Sequence, residues 1–200
     1  MPLVRPDPPS EATWEAYRRG MHELRGLNRV PTGLPAGEDP QQIYLLDAKD
    51  VVKGVGPGES TPVYWQFLVG ATSGPVVGAD VPQPPPGTPP RMTSLSRGPL
   101  NKKLIQATQT VQNLAELRAH NYELRRLTIG GLALRTFWLK SLAGGADLVV
   151  PYHSQYRGVK EMQVYTMEEF MAIVLTMAKK HLKKAAVVSA TPPARRSAKK

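Results

Sequence analysis

The sequence predicts an α+β fold: an antiparallel sheet of about five strands, built from hairpins and flanked on one face by about three helices, with a disordered basic C-terminal tail. Two observations predict the sheet. Short runs rich in β-branched and aromatic residues come in pairs separated by glycine-containing turns, 63–69 with 75–81 and 122–129 with 132–140. These runs follow one another directly, without the strand–helix alternation of a doubly wound sheet. A third observation predicts the helices: three longer stretches carry apolar residues at helical spacing.

Residues 1–10 are rich in proline and predict a flexible N-terminus. Ser10 is a good N-cap, and Trp14, Tyr17, Met21 and Leu24 then form one helical stripe that Gly26 can end. Gly20 weakens that helix. Residues 28–40 read as a loop and 43–46 as a short strand. Gly54, Gly56 and Gly58 suggest a phosphate-binding loop. Glu59 follows the last glycine and would repel phosphate, and a strand follows where a helix is required, so a turn is the better reading. The run VYWQFLV at 63–69 is the clearest strand of the first half, and 75–81 completes a hairpin with it.

Residues 82–90, PQPPPGTPP, form a loop, because proline removes the amide donor and fixes φ. That loop acts as a spacer or as a ligand for an aromatic-lined groove. After Pro99, Leu100, Leu104, Val111, Leu114 and Leu117 define a helix expected to end near His120 and Asn121. Gly130-Gly131 then predicts a two-residue hairpin turn. Its register sets Leu127 opposite Leu134 and Ile129 opposite Leu132, and also sets Arg126 against Arg135, which is unfavourable. A longer loop, a bulge or an anionic surface would relieve that clash. Residues 148–152 read as a third strand of this half. Thr166 and Glu169 fit a capping box opening a helix along Phe170, Val174 and Met177, with Lys179, Lys180, Lys183 and Lys184 complementing its C-terminal dipole. The expected organisation is one domain over 11–184 with a basic tail over 185–200.

The chain has no cysteine, which excludes disulfides, thiolate metal sites and cysteine nucleophiles. No apolar leader opens it and the stretch around 171–177 is too short to span a bilayer, so a cytoplasmic protein without a membrane span is expected. The four histidines have no partner at metal-site spacing, and no cofactor or metal is implied. Residues 179–200 hold eight of the 26 Lys and Arg and none of the 16 Asp and Glu. The rest of the chain therefore carries eighteen cations against sixteen carboxylates and is close to neutral.

The leading functional expectation is a non-enzymatic interaction or assembly module with a protein partner or a second copy. The alternative is non-specific nucleic-acid binding, with polyanion contact at Arg125, Arg126, Arg135, Lys179, Lys180, Lys183, Lys184, Arg195, Arg196, Lys199 and Lys200. A third reading is an enzyme using His153, which follows a strand beside Ser154.

Overall fold

The computed structural model describes residues 3–27, 29–30, 39–70, 76–118 and 120–190. Most of the expected turn at 70–74 and of the loop at 28–40 falls outside these residues, as do the tail cations Arg195, Arg196, Lys199 and Lys200.

The fold is α+β with a mostly antiparallel sheet, larger than expected: nine strands among the described residues rather than about five. The elements are β1 (Leu3–Val4), α1 (Glu11–Gly26), β2 (Asp39–Asp47), α2 (Ala48–Val52), β3 (Pro62–Gly70), β4 (Val76–Pro82), β5 (Ser94–Arg97), α3 (Pro99–Gln112), β6 (Tyr122–Gly130), β7 (Leu134–Ser141), β8 (Leu148–His153), β9 (Tyr165–Thr166) and α4 (Met167–Ala190). The strands absent from the sequence reading, β1, β5 and β9, are two to four residues long. Such pieces are too short to show alternation, and pairing with a longer neighbour creates them. β1, in the segment expected to be flexible, pairs in parallel with Tyr122 and Glu123 of β6.

Sheet order is β5-β4-β3-β2-β6-β7-β8-β9. Two antiparallel meanders, β2 to β5 and β6 to β9, therefore meet at one parallel pair, β2 with β6. Each meander is followed by a helix, α3 after the first and α4 after the second.

Helices lie on both faces, which corrects the one-faced expectation. Alternation along β3 settles this. Trp65, Phe67 and Val69 pack under Tyr17 and Met21 of α1, whereas Leu68 packs with Leu104 and Val111 of α3. α2 and α4 share the α1 side, closing over Tyr44, Leu46, Leu127, Ile129 and Trp138. We call this the first face, and the face carrying α3 the second.

The local expectations hold at the helix starts. Ser10 Oγ accepts from the Thr13 amide, and the Thr166–Glu169 box is formed from both sides. Hydrogen bonds from the Thr166 amide and hydroxyl hold the Glu169 carboxyl below its usual range. Gly20 has a steric reason: a Cβ there would meet the Met92 Cβ at 2.8 Å. α3 is shorter than expected, ending at Gln112 before a single 3-10 turn, Ala115–Arg118. α4 is longer, running to Ala190. Lys179 to Lys184 thus lie within the helix rather than in its last turn, which corrects the dipole argument.

The β6–β7 register also differs. The loop is longer, with Ile129 opposite Leu134, so Thr128 faces Arg135 and Arg126 faces Phe137. Leu132 leaves the ladder and is buried in the cluster beneath α2 and α4. Gly131 makes this turn at φ +79°, a conformation glycine adopts freely. The two extra loop residues remove the Arg126–Arg135 clash.

Candidate functional site

The strand arginines divide between the faces. Arg125 points to the first face, where its guanidinium lies 5.0 Å from the Tyr44 ring centre and 4.9 Å from that of Trp138. Its Nε donates to Glu123 Oε1 at 2.5 Å. Two aromatic rings and one carboxylate satisfy this cation, and it serves the packing of β2, β6 and β7.

Arg126, the next residue, points to the second face and is 3% exposed. Its Nη1 donates to Gln66 Oε1 at 2.6 Å and its Nη2 to the Tyr152 hydroxyl at 2.9 Å. Gln66 Nε2 donates onward to Asp80 Oδ1 at 2.7 Å, and Ser94 Oγ donates to the other Asp80 oxygen at 2.5 Å. The one carboxylate of the network is therefore reached only through an amide. Arg126 Nε has no partner among the described residues. Neither amide atom of Gln41, which pairs across from Gln66, has one either. A desolvated guanidinium held by neutral acceptors costs free energy unless a counter-charge approaches.

The second face is covered at one end and open at the other. α3 closes the end that bears Leu68, Leu124 and Leu139. At the other end Leu45 is 46% exposed, while its neighbour Leu46, on the first face under α4, is 3% exposed. Strand register places Thr128 beside Leu45, Arg135 beside Thr128, and His153 beside Arg135. These three and Tyr64 are half-buried. Burial pushes the Tyr64 hydroxyl above its usual range. Asp80 and Tyr152 add to this, and Arg126 and Arg135 oppose it. Tyr64 therefore stays a neutral hydroxyl at physiological pH, able to donate, within the field of two arginines.

Beyond His153 the charges are paired. Glu161 bonds Lys103 of α3 and accepts from the Ser154 amide at 3.1 Å, with His153 Nδ1 at 3.9 Å. Burial alone would raise the Glu161 carboxyl; these hydrogen bonds and the charges of Lys103 and His153 outweigh it and hold the group low. Ser154 Oγ donates to the Tyr156 carbonyl and accepts from the Tyr156 amide, so it is committed to a turn. His153 and Ser154 do not form a nucleophile–base pair.

The structure thus brings together Arg126, Arg135 and His153, and separates Arg125 from them. Lys179, Lys180, Lys183 and Lys184 sit exposed on α4. The proline-rich loop faces the proline-rich N-terminal segment across a groove of about 670 Å3, with Trp65 and Arg125 among its lining residues. Sequence reasoning missed Tyr64, Gln66 and Asp80. A signal existed: Gln66 and Asp80 are polar positions in otherwise apolar strands, and Gln41 is polar too. Only the register shows that they align.

Among the described residues no group of three or more His, Asp or Glu is placed to hold a metal ion, and no helix is long and apolar enough to cross a membrane. No family model, no curated protein and no solved structure matches the chain. The functional reading therefore rests on the geometry of this site.

Proposed function

We propose that the chain is a non-enzymatic interaction module that docks a partner protein on the open end of the second face. The supporting observation is the buried Arg126 guanidinium, held by neutral groups beneath half-exposed Arg135, Tyr64 and Thr128. A charge in a low-dielectric setting projects its field further than one in water. An anionic group seated on Arg135 and the Tyr64 hydroxyl gains from that field, and the exposed Leu45 offers apolar contact beside it. Tyrosine and arginine next to an apolar patch are the residues that dominate protein interfaces.

The test uses small anions as probes. At constant ionic strength, phosphate or citrate raises the melting temperature of the full chain, and Arg135→Gln abolishes the rise. An equal rise in Arg135→Gln overturns the proposal, as does no rise at any concentration.

One observation favours a second reading, polyanion contact at α4. Lys179 with Lys183, and Lys180 with Lys184, are like-charge pairs one turn apart on an exposed stretch of helix. A polyanion would relieve their repulsion. Because α4 runs to Ala190, truncation after that residue separates helix from tail. Binding of a generic oligonucleotide that survives truncation but is lost in Lys179→Glu/Lys183→Glu supports contact at the helix.

A further inference from the structure

A second surface stands apart from the open end. Between the C-terminal half of α1 and the segment leading into β5 runs a groove of about 600 Å3, lined by Glu23, Leu24, Arg29, Met92, Leu95 and Arg97 among others. It shares Gly20, Glu23 and Met92 with a neighbouring hollow of about 330 Å3 that adds Arg19 and Arg91. The two adjoin at these shared residues and are together called the channel below. Gly20 shapes it, because only a residue without Cβ lets the Met92 side chain lie this close to α1.

Four arginines thus rim the channel, at 19, 29, 91 and 97, and all four are exposed. None is ion-paired with another described residue. Among the described residues the single opposing charge in the lining is Glu23. On the same helix Arg18 bonds Glu11, about two turns along it. Leu24, Met92 and Leu95 give the channel an aliphatic lining, and among the described residues no aromatic ring lines it.

We propose that this channel docks an acidic, aliphatic, extended segment of a partner protein. The rim of guanidiniums fits carboxylates, and each presents a planar pair of donors to them. The aliphatic lining fits Leu, Val or Met side chains. Single-stranded nucleic acid fits less well, since its bases need aromatic platforms and this lining has none. In the edge strand β5 the Ser96 carbonyl already accepts from Asn101 Nδ2 at 3.0 Å. The segment therefore lies in the channel through its side chains and does not extend the sheet.

The test is fluorescence anisotropy on the full chain with three labelled probes: an extended peptide alternating Glu with Leu, the same peptide with Gln for Glu, and a single-stranded oligonucleotide of equal charge. The acidic peptide binds tightest, and its affinity falls as salt rises. Arg91→Ala or Arg97→Ala alone weakens it about two- to fivefold. Arg91→Glu/Arg97→Glu weakens it at least about twentyfold, because repulsion replaces attraction. Far-UV circular dichroism confirms that these exposed variants fold. The dependence on Arg91 and Arg97 persists in an Arg135→Gln background, which separates this channel from the open end of the sheet. Equal binding of the Gln peptide overturns the proposal. So does an oligonucleotide that binds as tightly with the same arginine dependence, or peptide affinity indifferent to the charge reversals.

Discussion

Arg126 and Arg97 end in the same guanidinium, yet their surroundings make them different devices. Arg126 is enclosed, fixed by Gln66 and Tyr152, and compensated by Asp80 only through an intervening amide. Arg97 stands at the end of an edge strand with water around it. Removing the first disturbs strands from both meanders, since its partners lie on β3 and β8. Removing the second disturbs a rim. Burial turns a cation into part of the architecture and a fixed source of field, whereas exposure leaves it free to meet a partner and easily screened.

The sharpest way to break this contrast is to remove the charges one at a time. Arg126→Met should cost about 2–4 kcal/mol in urea unfolding, because Gln66 Oε1 and the Tyr152 hydroxyl lose their donor in a buried site. Arg97→Met should stay within about 0.5 kcal/mol of the parent. Equal effects would erase the distinction. Next in size is Gly20→Ala. Its Cβ meets Met92, so it should destabilise by about 1–3 kcal/mol and weaken acidic-peptide binding in the channel without altering any charge.

A pH titration sharpens the comparison further. Glu161 is held below its ordinary 4.5, so its stabilising effect is full above that value and is lost as pH falls through the lowered one. Glu161→Gln should therefore lose less stability on acidification than the parent, measured by thermal melts from neutral pH downward. A parallel loss in both would remove Glu161 from the account. Smallest is Lys183→Glu. Replacing a like-charge pair by an attractive one should stabilise by about 0.3–0.5 kcal/mol at low salt, and the gain should vanish at high salt.

The elements most legible in the sequence were those with local signatures. Ser10 and the Thr166–Glu169 pair announce helix starts because capping is a contact between neighbours in the chain. The run at 63–69 announces a strand by composition. The pairing of β2 with β6 was not legible, because no local residue type marks a parallel partner so far along the chain. The same holds for the polar network: Arg126, Gln66 and Asp80 come from β6, β3 and β4, and only the assembled register aligns them. The arginine channel was hidden for another reason. Arg91 precedes and Arg97 ends a strand too short to be read from its sequence, and a cation late in a helix such as Arg19 is already accounted for by the helix dipole.

The junction of the two meanders also dictates how the chain must fold in time. Within each meander, paired strands are near neighbours, and their loops close at little entropic cost. Ile43 meets Arg126 only after roughly eighty residues of intervening chain. That junction is thus among the slowest contacts to form, and until it does each half presents an open sheet edge. The buried arginine lies on the strand that closes it, so its network can be completed only once both halves have found each other.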